Sequence, residues 1–311
     1  MNSPKYPALI FVLSLVAIFI LLAQQKSVVQ NDWPEDVLSY ENRHWVRAHP
    51  IPESMEFAQE TVPLSNPDIK ERLDREILVN TYWQSNAFLL IKRLNKFGPL
   101  IDSILREEQV PLDFKYLAVI ESGLQNATSP AGAKGFWQFM RGTGREFGLE
   151  INSNVDERFN LALSTKAAAQ YLRQAKEEFG NWTLAAAAYN AGRARIRREL
   201  ARQDVRGYYD LLLNEETGRY VFRILAVKRL LEHPQEYGFE FSSDHLYTHI
   251  PTRKYMVDTV VTDFVRFAKH FGINYKILKI HNPWLREGHL NNASRKKYII
   301  EIPEAGFYTL P

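Results

Sequence analysis

The sequence contains no cysteine. This excludes a disulfide framework, a thiolate nucleophile, a Cys-ligated metal and a lipid anchor on an N-terminal cysteine. An excess of charge is also lacking, because the formal net charge at pH 7 is only +3, which argues against strong nucleic-acid binding. The eight histidines are scattered, and none has the HExxH or a similar metal-binding spacing. We therefore expect no metal site.

Long apolar runs are scarce, and the clearest one stands near the start of the chain. Residues 8–23 are apolar except for Ser14 and follow Lys5, which is the arrangement of a signal sequence or signal anchor. As a helix this run reaches about 24 Å, short of the ~30 Å hydrocarbon core of a bilayer. No small-x-small cleavage pair is clear near residues 21–25, which favours an uncleaved anchor. We predict a signal peptide or signal anchor over residues 1–25.

The remaining chain is long enough for one large domain and a smaller one. Residues 26–66 are polar and carry spaced prolines, so we predict an extended tether there. Residues 67–235 show helical apolar spacing without a strand pattern, and Gly98-Pro99 is predicted to end one helix. Residues 245–305 begin after a change in composition and carry the pattern of a strand, two short helices and a closing strand.

Glu121 has the most unusual setting of any acidic residue in the chain. Phe114, Leu117, Ala118 and Glu121 fall at i, i+3, i+4 and i+7, which is one stripe of a helix. A carboxylic acid therefore ends an otherwise apolar face. Glutamate is rarely buried unless it is paired or functional, so this position favours a chemical role. A helix-end glutamate that bends out to water is the alternative.

Two later segments favour a ligand site. Residues 129–148 place several glycines around the cluster Phe136, Trp137, Gln138 and Phe139, so the backbone can approach a ligand closely beside aromatic rings. Residues 181–192 form an Ala-rich helix pattern that includes Tyr189 and Asn190 and ends at a glycine suited to a C-terminal cap. Taken alone, a tightly packed core helix explains the second segment.

These residues fall into four ordered motifs: Glu121-Ser122, Gly135-Phe136-Trp137-Gln138, Ala188-Tyr189-Asn190-Ala191-Gly192, and Glu216-Thr217 with Tyr220-Val221. In order and spacing they resemble the motifs of the family 1 lytic transglycosylases (SLT domain), most nearly the membrane-bound murein transglycosylase D type. The resemblance covers residues 100–231. Leu124 replaces the common aromatic after the Glu-Ser pair, and Arg141 stands where proline is frequent. Both departures concern substrate subsites rather than the acid.

The resemblance implies a mainly α, lysozyme-like catalytic domain over residues 67–235 that acts on peptidoglycan without a cofactor. Glu121 would protonate the bond between N-acetylmuramic acid and N-acetylglucosamine, and would then act as base while the muramyl C6 hydroxyl closes a 1,6-anhydro ring. The resemblance assigns substrate positioning, through hydroxyl and amide groups, to Ser122, Gln138, Tyr189, Asn190 and Tyr220. Phe136 and Trp137 are candidate stacking residues, with a core role equally open for Trp137.

The carboxylates of the central region bear on the type of reaction. A glycoside hydrolase normally needs a second carboxylate near its acid. The acidic residues between Glu121 and Gly192 lie in neither an apolar nor a glycine-rich setting; they are Glu146, Glu150, Asp156, Glu157, Glu177 and Glu178. This favours the intramolecular route. A goose-type lysozyme-like muramidase and a noncatalytic glycan-binding envelope protein remain the alternatives.

The C-terminal pattern resembles a LysM module, a βααβ unit that binds N-acetylglucosamine. The usual Gly-Asp pair is absent and Val261-Thr262 takes its place, whereas Asn282-Pro283 and Ile302-Pro303 fit. The expectation is a degenerate LysM-like α+β module that either binds glycan or only packs on the catalytic domain. The arginines of residues 193–206 are predicted to form a solvated helix face. Together these patterns predict an exported envelope protein on the periplasmic side, with peptidoglycan strands and the membrane as partners and no nucleic acid.

Overall fold

The computed structural model describes residues 46–308. The predicted signal peptide or anchor and the first part of the predicted tether lie outside the described residues. Among the helices within residues 46–308, none combines the length and apolar character needed to cross a membrane. The same residues form ten α-helices and two small antiparallel sheets.

The elements follow in chain order: β1 (Glu56–Phe57), β2 (Glu60–Thr61), α1 (Pro67–Tyr82), α2 (Gln84–Glu107), α3 (Lys115–Ser122), α4 (Arg141–Glu146), α5 (Leu161–Phe179), α6 (Trp182–Ala191), α7 (Arg193–Gln203), α8 (Glu215–Glu232), β3 (Thr252–Val257), α9 (Phe264–His270), α10 (Tyr275–His281) and β4 (Tyr298–Pro303). In the first sheet Phe57 pairs with Glu60. In the second, β3 pairs with β4 from Thr252 opposite Pro303 to Val257 opposite Tyr298.

Helix α8 is the centre of the helical domain. It packs against α1, α3 and α6, and its buried residues lie on nearly every side, as expected of a helix enclosed by others. Helix α6 approaches it closely because residues 185–188 are all alanine and fully buried. This packing brings the end of α3, which carries Glu121, next to the first turns of α8.

The prediction that Gly98-Pro99 ends a helix was wrong. Helix α2 continues through Pro99, so residues 100–110 do not begin a separate helix. An internal proline costs about 3 kcal/mol or more, because it removes one hydrogen bond and crowds the preceding turn. The helix nevertheless keeps one unbroken buried stripe on both sides of the proline: Ala87, Leu90, Ile91, Gly98, Ile101, Ile104 and Leu105. The helical pattern is interrupted instead at Trp83, between α1 and α2.

Other helix ends agree with the sequence patterns. Asn160 caps α5 by accepting a hydrogen bond from the Leu163 amide at 3.1 Å, and Gly180 ends that helix in the left-handed region. Gly192 ends α6. Within residues 208–232 the chain forms one 3-10 turn, Tyr208–Asp210, and α8. The Tyr208 hydroxyl donates to the carbonyls of residues 217 and 218, which folds this turn back onto the start of α8.

The C-terminal module has the predicted βααβ order. Its core is continuous with Val155 and Phe159 of the helical domain, and the Asp156 amide donates to the Trp284 carbonyl at 2.9 Å. The Arg286 amide donates to the Asn154 carbonyl at the same distance. The module therefore packs on the helical domain, and whether it also binds glycan stays a prediction. The limits given to the domains stay predictions.

The arginine-rich helix α7 is mostly solvated. Ile196 is its buried residue. Four of its arginines form ion pairs: Arg193 with Glu146 and Glu178, Arg197 with Glu178, Arg198 with Glu199, and Arg202 with Glu199. Such pairs on an exposed surface contribute little to stability. The arrangement agrees with the solvated face expected from the sequence.

Candidate active site

Glu121 lies in the last turn of α3, which ends where Gly123 adopts the left-handed conformation and its amide donates to the Val119 carbonyl. The side chain does not bend out to bulk water, because its Oε1 accepts a hydrogen bond from the hydroxyl of the buried Tyr220. It lines a cavity of about 290 Å³, which we call the acid cavity. The other residues of the acid cavity are Asn80, Trp83, Asn86, Leu90, Val119, Ile120, Ser122, Gly123, Gln125, Ala127, Arg223 and Val227.

Burial raises the pKa of Glu121 from its ordinary value of 4.5 to about 6. Removal from water is the largest cause, and the negative charge of Glu216 adds to it. The Tyr220 hydrogen bond and the positive charge of Arg223 act in the opposite direction. A carboxyl group that keeps its proton up to this pH can serve as a general acid near neutrality.

Tyr220 remains a neutral donor. Burial raises its pKa well above the ordinary value, and the Glu121 carboxylate raises it further. Deprotonation would place two negative charges together in a site with little water. The hydroxyl proton therefore stays available to the glutamate in both of its protonation states.

Glu216 is a second carboxylate candidate that sequence reasoning missed, because it lies outside the segment between Glu121 and Gly192. It lies in the first turn of α8, where its Oε1 accepts a hydrogen bond from Asn190 Nδ2 at 3.2 Å. Asn190 Oδ1 in turn accepts from the Thr217 hydroxyl at 2.9 Å. The signal was present in the sequence, since Glu216 opens the fourth motif.

Three of the predicted positioning residues bond to the loop of residues 135–138. The Ser122 hydroxyl donates to the Phe136 carbonyl at 2.8 Å, and the Tyr189 hydroxyl donates to the Trp137 carbonyl at 2.7 Å. Gln138 Nε2 donates to the Gly135 carbonyl at 2.7 Å. These side chains fix the loop beside the last turn of α3. Of the five predicted positioning residues, Ser122 is the one that lines the acid cavity.

Neither candidate stacking residue lines the acid cavity. Trp137 is fully buried, and its Nε1 donates to the Thr165 hydroxyl at 2.9 Å. Phe136 is buried with its ring edge-on to Phe97 at 4.9 Å. The structure therefore favours the core role that the sequence left open for Trp137, and it places Phe136 in the core as well.

A second cavity of about 710 Å³, the outer cavity, adjoins the acid cavity and shares Asn80, Trp83 and Arg223 with it. Its remaining residues are Glu76, Val79, Asn214, Glu215, Glu216 and Arg219. The two cavities together form a groove that runs from Glu121 along the start of α8. Trp83 stands at their junction. Sequence reasoning missed this residue, since helical spacing gives no signal for it.

Metal-binding geometry is not found within residues 46–308, where no group of three or more His, Asp and Glu side chains is placed to hold an ion. The ionisable groups described in this groove include the acid Glu121, its partner Tyr220 and the neighbouring carboxylate of Glu216. A proton donor of this kind, beside a long open groove, suits acid-catalysed cleavage of a chain-like substrate.

Comparisons with known proteins agree with this geometry. Residues 101–211, which include Glu121 and the loop of residues 135–138, match the family model of the transglycosylase SLT domain. Residues 253–306 match the model of the soluble lytic transglycosylase C-terminal LysM-like domain. The resemblance stated from the motifs is thereby confirmed, as is the expected fold class of a helical SLT domain with a LysM-like α+β module.

Two curated relatives match part of this chain. Membrane-bound lytic murein transglycosylase D of Escherichia coli (strain K12) is 29% identical over 202 residues, which are 63% of this chain and 44% of that protein. A putative tributyltin chloride resistance protein of Alteromonas sp. (strain M-1) is 28% identical over 99 residues, which are 31% of this chain and 48% of that protein. The chain thus spans less than half the length of these curated relatives.

A solved structure of an inactive mutant of the lytic transglycosylase Slt from Pseudomonas aeruginosa is also similar to part of this chain. It has 24% sequence identity and a TM-score of 0.38, and the match covers 49% of this chain and 26% of that one.

Two substitutions should move the pKa of Glu121 in opposite directions. Tyr220→Phe removes a hydrogen bond that lowers this pKa, so we expect a value above about 6. Glu216→Gln removes a negative charge that raises it, so we expect a value below about 6. An NMR titration of carboxyl-labelled protein measures both. Glu215→Gln is the matched control, because Glu215 is exposed and pairs with Arg219. Shifts of the same sign in the first two variants would contradict this electrostatic account.

Proposed function

We propose that this protein is a peptidoglycan lytic transglycosylase of the cell envelope, active in cell-wall remodelling. It cleaves the β-1,4 bond between N-acetylmuramic acid and N-acetylglucosamine without water and leaves 1,6-anhydro ends. The observation that carries this proposal is the Glu121 carboxyl, whose pKa is about 6, at the side of a groove within the SLT-type region.

The first step is proton transfer. Cleavage of a glycosidic bond needs a proton on the leaving oxygen while positive charge develops on the sugar ring. Protonated Glu121 supplies that proton to the N-acetylglucosamine oxygen as the bond to the muramyl C1 breaks. The muramyl acetamido oxygen bonds to C1 in its place. The Tyr220 hydroxyl stabilises the Glu121 carboxylate that remains.

The second step closes the anhydro ring. The Glu121 carboxylate takes the proton from the muramyl C6 hydroxyl, whose oxygen attacks C1 and displaces the acetamido oxygen. The acid is thereby regenerated, and no water atom enters either product. The nearby Glu216 carboxylate favours the positive charge on the sugar. In this scheme Ser122, Gln138, Tyr189, Asn190 and Tyr220 position the substrate.

We propose in addition that the protein acts on the exported, periplasmic side of the envelope and that residues 8–23 attach it to the membrane. The apolar run supports this attachment, and the Escherichia coli relative is named as membrane-bound. Separation of membrane and soluble envelope fractions from cells that express the full chain tests the attachment.

The reaction products decide between this proposal and its alternatives. Purified peptidoglycan is digested with the full chain, and the released muropeptides are analysed by mass spectrometry; we expect 1,6-anhydro ends. Water-added reducing ends would instead identify a goose-type muramidase, which the closeness of Glu216 to Glu121 favours as the second candidate. Glu121→Gln serves as the inactive control. No release by the unmodified protein would indicate a noncatalytic glycan-binding protein.

A further inference from the structure

Trp83 is unusually exposed for a tryptophan. Of the four tryptophans that the structure describes, Trp137 and Trp284 are buried and Trp182 is half-buried, whereas 59% of Trp83 is exposed. A single exposed apolar side chain on a protein surface needs no explanation by itself. The position of Trp83 does need an explanation, because the same side chain lines both the acid cavity and the outer cavity.

The backbone holds Trp83 in one position. The residue lies outside both flanking helices, with φ −89° and ψ 58°, and acts as the C-cap of α1 and the N-cap of α2. Its amide donates to the Val79 carbonyl at 3.1 Å, and its carbonyl accepts from the Ala87 amide at 3.0 Å. An aromatic side chain on a fixed helix junction loses little conformational entropy when a ligand binds.

The groups around Trp83 are polar and suit a sugar. Asn80, Asn86 and Arg223 line the acid cavity with it, and amide and guanidinium groups donate hydrogen bonds to hydroxyl and acetamido oxygens. Arg223 also donates to the Ile120 carbonyl at 3.2 Å, which ties this side of the groove to the helix that carries Glu121. The groove thus combines one exposed aromatic surface with hydrogen-bonding groups, which is the usual composition of a specific ligand site.

We propose that Trp83 forms a sugar subsite, in which its indole face stacks on an N-acetylated pyranose of the glycan strand near the bond that Glu121 cleaves. In a β-1,4-linked amino sugar the ring substituents are equatorial, so the ring presents an apolar face of C–H groups that matches a flat indole. This inference rests on the proposed function for its substrate. It also supplies the aromatic contact that the buried Phe136 and Trp137 do not provide.

Binding is tested in the full chain with Glu121→Gln, which is expected not to cleave its ligand. The probe is a soluble β-1,4 oligomer of N-acetylglucosamine, and the readout is tryptophan fluorescence together with titration calorimetry. Addition of Trp83→Ala should weaken binding about tenfold, and Trp83→Phe should keep part of the affinity. The fluorescence change should disappear in both variants. Phe307→Ala is the matched control, because Phe307 is 51% exposed and lines neither cavity of the groove.

Kinetics with Glu121 intact give a second readout. Trp83→Ala should raise KM for solubilised glycan strands about tenfold with a smaller change in kcat, and Trp83→Phe should recover part of the loss. Unchanged affinity and unchanged KM in Trp83→Ala would overturn the subsite, as would an equal loss in Phe307→Ala. A chain that binds the oligomer through Trp83 but leaves no anhydro ends would defeat the proposed reaction and support the subsite, so the two failures are distinguishable.

Discussion

Glu121→Gln is expected to lower the rate of peptidoglycan cleavage by about 10²- to 10⁴-fold, which is the usual contribution of a positioned general acid or base. Glutamine has nearly the shape of glutamate and can still accept the Tyr220 hydrogen bond, but it has no proton to give and cannot serve as the base in ring closure. Release of soluble muropeptides from purified peptidoglycan measures the loss. Glu215→Gln changes an exposed carboxylate of the outer cavity and is expected to retain most activity.

Glu121→Gln should also stabilise the folded protein at neutral and higher pH. The pKa of Glu121 is raised from 4.5 to about 6 on folding, so between these values the folded state binds more protons and stability falls as pH rises. Above pH 6 the folded protein carries the full cost of an ionised, buried carboxylate, about 2 kcal/mol. Glutamine has no such cost. Urea denaturation should therefore show a gain of about 2 kcal/mol at pH 8 and none at pH 4.

Equal stability of Glu121→Gln and the unmodified protein at both pH values would contradict the raised pKa. Retention of more than about a tenth of the activity would remove Glu121 from the reaction. The two measurements are independent, since urea denaturation reports the cost of ionising the buried Glu121 carboxyl and the activity assay reports its role in the reaction. A stabilised but inactive variant is the combination that a catalytic acid held in a partly dry site predicts.

The sequence predicted those parts of the site whose structure depends on helix capping and apolar spacing. Asn160, Gly180 and Gly192 mark helix ends through capping, and the apolar stripe of α3 places Glu121 toward the interior. Local rules failed at Pro99, because tertiary burial on both sides of the proline outweighed the lost hydrogen bond. The role of Trp83 could not be predicted either, because it also depends on tertiary packing. Only the packing of α1, α2 and α8 leaves its ring uncovered beside the acid.

The supporting side chains show the same limit. The family resemblance assigned hydroxyl and amide groups to the neighbourhood of Glu121, but it did not reveal that Ser122 and Tyr189 donate to consecutive carbonyls of one loop. Nor did it place Glu216 near the acid, since this proximity depends on how α8 crosses the end of α3. Long-range contacts of this kind follow from helix packing rather than from local residue patterns.

A second large effect, on the free energy of unfolding, is expected at Arg158, which contacts the loop of residues 135–138 and its flanking residues. Arg158 is 2% exposed, and its Nε and Nη2 donate to the two carboxylate oxygens of Asp156 at 2.8 and 2.7 Å. Its Nη1 donates to the carbonyls of Phe139 and Gly132 at 3.1 and 3.2 Å. Gly135 has φ 81°, and a Cβ there would lie 1.9 Å from the Arg158 carbonyl oxygen, so the loop and this segment touch through backbone.

Arg158→Met should lower the free energy of unfolding by about 3–5 kcal/mol, because it leaves the Asp156 carboxylate buried without its main partner. Lys134, whose Nζ lies 3.7 Å from Asp156, compensates only part of this charge. The double variant Asp156→Asn with Arg158→Met should lose less than the sum of the two single variants, since neither charge then remains. Urea denaturation at pH 7 measures all three.

Arg202→Met is the matched control for the arginine pair. Arg202 also forms a two-hydrogen-bond pair with a carboxylate, that of Glu199, but 63% of its side chain is exposed, so its loss should cost no more than about 1 kcal/mol. Equal losses of unfolding free energy at the two arginines would show that burial does not strengthen the Arg158 ion pair.

Because the Asp156 amide also donates to the Trp284 carbonyl, the Arg158 variant should loosen the C-terminal module together with the loop. Hydrogen exchange should then rise in both segments at once, because one buried ion pair joins the loop beside Glu121 to the LysM-like module.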